Sequence, residues 1–273
     1  MEPIDPKYNS YRIPSTKEFE DVFTHFYFAK NNTQKAVAKT LLPNFQTIFV
    51  FSFGKPVYFK ANQGDEIEVG RYLFLGPVKQ ALPYRLEPGS EILVINFKDD
   101  AFYRFFGKVI LSGHVPFNPD DLGIENCFSA LWEKLRQIDD QNDRINFILE
   151  FCRPYLAAKN STSELLVNFK ASIYNPIKSV AQHTQQSERS IQSHHKKIFG
   201  YSAKEANRYH RFLNAVKLIQ NTVAGSSSVE WFQVIEQCGY YDQSQLIHDF
   251  RHYLNLTPNQ YLKLQQDICN PVS

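Results

Sequence analysis

The sequence has little cysteine and no long apolar run. Its four cysteines, Cys127, Cys152, Cys238 and Cys269, stand 25, 86 and 31 residues apart. That spacing matches neither a CxxC metal pair nor a disulfide-dense secreted framework, so they read as reduced thiols. The densest apolar stretch, Thr47 to Phe53 (TIFVFSF), is far short of the ~20 residues a membrane-spanning helix needs. The opening MEPIDPKYNSYRIPSTKEFE has prolines and acids where a signal peptide carries apolar residues. A cytoplasmic protein without membrane attachment is therefore expected. Histidine is scarce in the N-terminal part, where the first 170 residues hold only His25 and His114. Two histidines 89 positions apart do not make a histidine-rich metal site. A P-loop, a GxSxG elbow and HExxH are also missing, so the expectation is no enzyme, no cofactor and no metal.

What is present is an ordinary globular composition, 273 residues at 43% hydrophobic and 21% charged, enough for two cores and too apolar for a disordered chain. The net charge of +2 hides an asymmetry. Residues 1–170 sum to −1 and residues 171–273 to +3, and six of the eight histidines fall in the second part. A field of that size suggests nucleic acid only if a motif supports it.

From Phe45 to Lys98 short aromatic and β-branched runs (FQTIFVFSF, KPVYFK, DEIEVGRYLFL, EILVINFK) alternate with turns at Gly54, Asn62 to Gly64, Gly76-Pro77 and Pro88-Gly89. This predicts an antiparallel barrel or sandwich. Asp99-Asp100 is placed to cap a short helix AFYRFF, and a helical section begins near Asn118. Phe128, Leu131, Trp132, Leu135 and Ile138 keep helical spacing, as do Ile145, Ile148, Leu149, Cys152 and Tyr155. They predict two antiparallel helices whose stripes cover the barrel, with part of one stripe available as a homodimer face. The stretch AAKNSTS (157–163) is the linker candidate.

The C-terminal region carries a duplicated pattern. SERSIQSHHKKIFGYSA (187–203) and DQSQLIHDFRHYLNLTP (242–258) align at an offset of 55 without one identical position. Residue types still agree where helix geometry demands it. Ser187 and Asp242 are N-caps, Ile191 and Leu246 point inward, Lys196 and Arg251 are basic, and Gly200 and Asn255 suit a left-handed C′ position. A short helix precedes each (IKSVAQH, VEWFQVIEQ), completing two helix-turn-helix units. In such a unit the second helix enters the major groove. Arg189, Gln192, Ser193 and Lys196, with Lys197, form the candidate DNA-reading face of the first unit. Gln243, Ser244, Ile247, His248 and Arg251 form that of the second, a less discriminating set. His195 falls on the inward stripe, and Ser202 to Gln220 reads as one connecting helix of ~27 Å.

On these residues the C-terminal region resembles the AraC-type transcription regulators: Ser187, Gly200 and Ser202, Arg211, Ala215, Leu218-Ile219, and above all GYYDQSQLIHDFRHYLNLTPNQYL from Gly239 to Leu262. The resemblance implies two helix-turn-helix units per chain that activate or repress promoters. Four positions depart from the pattern: Gln185 where the turn glycine stands, His195 for an inward aromatic, Ala203 for proline and His248 for arginine. LLPNFQTIFVFSFGKPVYF, GRYLFLGPVKQALPYRL and GSEILVINFKDDAFYRFFG are similar to the uncharacterised sensory domain of some such regulators, over about residues 19–155. This implies a cupin-like β barrel with a helical extension.

The expected architecture is α+β, with residues 1–160 a sensory and dimerisation barrel and residues 161–273 the DNA-binding domain. The expected function is a sequence-specific regulator that binds double-stranded promoter DNA as a homodimer, controlled by a small molecule or partner at the barrel. The alternatives are a regulator whose barrel serves only dimerisation or protein contacts and, more remotely, a cupin-type enzyme. If the barrel holds a ligand, Phe49, Phe51, Tyr58, Tyr72, Phe74 and Tyr84 are the candidate lining.

Overall fold

The computed structural model describes residues 8–60, 66–107, 116–122, 127–170, 176–225 and 228–269. His114, the turn Asn62 to Gly64 and the side chain of Cys269 lie outside the described residues. By packing, the chain divides into Met1–Tyr201 and Ser202–Ser273. The fold is α+β, with antiparallel sheets first and helices after them.

The first unit contains β1 (Tyr8–Pro14), β2 (Phe23–Asn31), β3 (Val37–Leu41), β4 (Ile48–Gly54), β5 (Val57–Lys60), β6 (Glu66–Val69), β7 (Tyr72–Leu75), β8 (Leu82–Leu86) and β9 (Ser90–Phe97). They form two antiparallel sheets, ordered β1-β2-β9-β4-β7 and β3-β8-β5-β6. Strand alternation gives the larger sheet two different faces. Ile48 and Val50 of β4 and Ile92 and Val94 of β9 pack with Val57, Phe59 and Leu86 of the smaller sheet. Phe49, Phe51, Phe53, Leu93, Ile95 and Phe97, the residues between them, belong to a second core with the helices. β4 and β9 read as continuous apolar runs because both of their faces are covered.

The covering helices are α1 (Ala101–Phe106), α2 (Cys127–Arg136) and α3 (Gln141–Cys152). The buried stripes Phe128, Leu131, Trp132 and Leu135, and Ile145, Ile148 and Leu149, lie against the aromatic sheet face. Each such side chain contributes ~1.5–3 kcal/mol by leaving water. Trp132 Nε1 also donates to the Ser52 carbonyl at 2.9 Å. These stripes are therefore core; the outward face of α3 carries Asn142, Asp143, Asn146 and Glu150, with Phe147 the exposed apolar residue among them. Asp140 caps α3, accepting from Asn142 and Asp143 N–H. Asp100 sits at the N-cap of α1, but its side chain makes no capping bond, so that helix is held by its phenylalanines.

A buried charge cluster ties the start of α3 to the sheet. Glu91 pairs with Lys30 at 2.8 Å and with Arg144, whose guanidinium lies 4.3 Å from the Phe53 ring centre. Arg144 Nε donates to the Ile138 carbonyl at 2.5 Å. Burial pushes the Glu91 carboxyl up, but Lys30 and Arg144 outweigh it and hold it below the usual range.

After residues 157–160 the expected linker turns helical: α4 (Ser161–Lys170) opens with Asn160 Oδ1 accepting from Thr162 N–H at 2.7 Å. α5 (Pro176–Thr184) and α6 (Glu188–Phe199) complete the first unit. The second unit contains α7 (Ala203–Ala224), α8 (Trp231–Cys238), α9 (Gln243–Leu254) and α10 (Pro258–Cys269). α7 begins at a capping box between Ser202 and Glu205 and runs four residues beyond the expected end. Its Phe212 packs on Phe250 and Tyr253 of α9, ring centres 5.1 and 4.6 Å apart. Among the described residues no helix is long and apolar enough to cross a membrane.

Candidate nucleic-acid interface

Helix α6 is bounded as its sequence dictates. The Ser187 side chain accepts from Ser190 N–H at 3.2 Å, and Gly200 ends the helix at φ 75°. Gln185 adopts φ 55° between α5 and α6, so the left-handed turn forms without its glycine. Ile191, His195, Ile198 and Phe199 are buried. His195 Nδ1 is 2.9 Å from the Tyr201 carbonyl. Because a carbonyl only accepts, Nδ1 carries the proton there. Its ring lies 4.7 Å from Phe199, in the place the expected aromatic would take.

With that face inward, Arg189, Gln192, Ser193 and Lys196 form one exposed stripe over two turns. Lys197 departs from it. It is half-buried, with its ammonium 5.8 Å above the Tyr103 ring of α1.

The second unit repeats the frame with other residues. Gly239 supplies the turn at φ 71°, Asp242 accepts from Gln245 N–H at 2.8 Å, and Asn255 closes α9 at φ 58°. Leu246, Asp249, Phe250 and Tyr253 are buried; Gln243, Ser244, His248 and Arg251 are exposed, and Ile247 is half-buried. Asp249 is clamped by Arg208 Nε at 2.6 Å and by Arg211 at 3.2 Å. Arg208 also donates to His248 Nδ1 at 2.8 Å. Burial, reinforced by Arg208, lowers the pKa of His252 beside them.

Sequence reasoning missed this clamp. The signal was present: Asp249 stands at i+3 from Leu246 on the inward stripe, where only a paired carboxylate is tolerated.

The six aromatic candidates of the N-terminal sheets do not converge on one pocket. Phe49, Phe51, Tyr72 and Phe74 lie on the helix-covered face of the larger sheet. Tyr84 lies between the sheets, its hydroxyl 3.1 Å from that of Tyr27. Tyr58 is half-buried beneath the Arg85 guanidinium, 5.0 Å away. The reason is the alternation of β4 and β7, which sends their aromatics away from the space between the sheets. The Tyr72 hydroxyl donates to Asp120 at 2.5 Å and lies 2.7 Å from Ser129 Oγ, fastening the segment before α2. Of the six, Phe49 alone lines an apolar cavity of about 70 Å³ between the sheet and the helices. Among the described residues no three His, Cys, Asp or Glu side chains converge as a metal site requires. Burial lowers the pKa of His25.

Residues 180–264 match a family model described as a helix-turn-helix domain. No curated protein matches the chain. Among solved structures it is similar to ToxT from Vibrio cholerae at 13% identity, covering 94% of this chain and 97% of that one with a TM-score of 0.41. A wild-type ToxT structure with bound unsaturated fatty acid aligns at 11% identity over 96% and 97%, TM-score 0.38. The cupin domain of an XRE family transcriptional regulator from Enterobacter cloacae aligns at 7% identity, covering 34% of this chain and 96% of that one, TM-score 0.27.

Proposed function

We propose, from the match of residues 180–264 to a helix-turn-helix domain, that the chain is an AraC-type DNA-binding transcription regulator rather than an enzyme and that α6 and α9 read adjacent major grooves of promoter DNA. The exposed stripe Arg189, Gln192, Ser193 and Lys196, backed by a fully buried inner face, carries this reading. Arg189 at the helix start reaches base edges and suits guanine bidentately, with Gln192 suited to adenine. Lys196, two turns on, meets phosphate. The second helix offers Gln243, Ser244, His248 and Arg251 and reads less sequence. At ~1.5 Å per residue the 22 residues of α7 measure ~33 Å, close to the ~34 Å repeat of the major groove.

Residues 161–273 would thus supply DNA binding, and residues 1–160 control it in the cytoplasm, through a small molecule and through homodimerisation. A dimer formed at α2 and α3 would use their outward faces, since their stripes are occupied. Sedimentation of the full chain at tens of micromolar tests this; a strict monomer rejects it.

The test of DNA reading is binding to matched and mismatched duplexes at several salt concentrations. Arg189→Ala is expected to lose affinity for the cognate site and relax preference at one base pair. Lys196→Ala is expected to weaken all duplexes alike and to reduce the salt slope by about one. Equal loss on all duplexes from Arg189→Ala would reject its role as a base reader.

A further inference from the structure

The void beneath the helical layer has an unusual lining. It lies between the aromatic face of the larger sheet (Phe49, Ile95, Phe97) and α1 to α3. Among its lining side chains only Cys127, Cys152 and Tyr155 carry a heteroatom. Cys152 has no acidity to offer, since burial pushes its thiol up to about 12. Water needs two to four polar partners to occupy a cavity, and this one does not supply them. Its 70 Å³ equals room for about five to seven non-hydrogen atoms on a scale where one water takes ~10–15 Å³.

The position of α1 gives the void a route outward. Phe105 and Phe106 form one wall of the cavity. Phe102 and Tyr103, on the same six-residue helix, border a small space shared with Ile198, Phe199 and Gly200 at the C-terminal end of α6, and the Lys197 ammonium lies 5.8 Å above the Tyr103 ring. A β-carbon on Gly200 would stand 3.0 Å from Pro77 Cδ, and the Tyr201 ring packs edge-on to Phe45 at 4.9 Å. The end of the first recognition helix is therefore held closely at Gly200 and Tyr201. A helix of one and a half turns cannot shift its cavity side and keep its α6 side in place.

We propose that this cavity binds a small uncharged apolar molecule and that α1 conveys its occupancy to the first recognition helix. A ligand that would bring a carboxylate or ammonium group into the interior is disfavoured, because no charged side chain lines the cavity and burying an unpaired charge would cost more than the contacts return. The site lies on the helix-covered side of the larger sheet, not between the two sheets. The inference rests on the reading of the chain as a DNA-binding regulator with a controlling N-terminal part.

The test uses the full chain, toluene as probe, and sodium benzoate as its charged counterpart. Toluene is expected to raise the melting temperature and to change the Kd for cognate DNA by about fivefold or more; benzoate is expected to do neither. Cys127→Phe, which fills the cavity, should keep DNA binding and lose the response to toluene. Ile148→Phe provides a second filling variant if the first does not fold. Tyr103→Ala, at the edge of the α6 seat, should still be stabilised by toluene while its DNA affinity no longer responds. Failure of toluene to stabilise the wild type overturns the site. Stabilisation with unchanged DNA affinity overturns the coupling. If the untreated wild type shows no salt-sensitive binding to any duplex, the regulator reading itself fails, a result separable from both.

Discussion

The two helix-turn-helix units share a frame and differ in what holds it. Each recognition helix starts at a side-chain cap and ends at a left-handed residue, Ser187 and Gly200 in one, Asp242 and Asn255 in the other. The core of the first is closed by an imidazole ring, His195, on a backbone carbonyl. That of the second is closed by a buried carboxylate between two guanidiniums. The cost of the second arrangement is rigidity at the surface. Arg208, which clamps Asp249, also engages His248, whereas the stripe from Arg189 to Lys196 is exposed throughout. Closure by a buried ion pair thus draws nearby surface groups into support, and a unit closed by a ring on a backbone carbonyl leaves its surface for reading sequence.

The largest expected effect breaks the stronger closure. Asp249→Ala leaves two guanidiniums without their acceptor and should cost ~2–3 kcal/mol, below the range for fully buried pairs because both arginines are partly solvated. His195→Phe keeps a ring in place and loses one hydrogen bond, so ~1 kcal/mol is expected. Urea midpoints of the two variants should separate accordingly; equal losses would dissolve the contrast.

Next is DNA binding itself. Arg189→Ala should cost ~1–3 kcal/mol at the cognate site, while Ser244→Ala, the corresponding change in the second unit, should cost well under 1 kcal/mol. Competition titrations on one duplex decide it, and a larger loss from Ser244→Ala would reverse the assignment of reader and anchor.

A smaller effect comes from the turns. Gln185→Gly should stabilise by ~0.5–1 kcal/mol, since only glycine takes φ 55° without steric cost. Gly239→Gln should destabilise by about the same or somewhat more. If both changes destabilise, the turns are not equivalent.

Acid titration should affect both parts of the chain alike, and least. His25 and His252 both have pKa values below the ordinary 6.5, mainly through burial. As pH falls past that value the unfolded chain takes up these protons first, so stability is full above about 6.5 and declines below it. Both rings are half-exposed, so solvent screens the effect and each contribution is small. Melting curves from pH 7.5 to 5.5 should show a shallow fall; a rise would contradict the direction.

Much of this was legible in the sequence because it depends on local rules. Caps, C′ residues and the apolar stripes of α2, α3, α6 and α9 follow from spacing alone, and they place Arg189 and His195 on opposite faces before any packing is known. The pocket candidates fall on different faces for a related reason. Alternation in β4 says that Phe49 and Ile48 face opposite ways, but not which side holds the second sheet and which the helices. The clamp on Asp249 was also hidden, because Arg208 lies 41 positions away and no local period joins them.

The seating of Gly200 and Tyr201 against Pro77 and Phe45 has a practical consequence for dissecting the molecule. Cutting near residue 160 to express the C-terminal part alone would strip Phe199 and Tyr201, both buried in the intact chain, of their cover. The released piece would carry a fresh aromatic surface beside its own reading helix. Stickiness and poor yield of such a fragment would then reflect a lost neighbour rather than a misfolded helix-turn-helix. A cut leaving residues 1–201 together would keep that surface sealed.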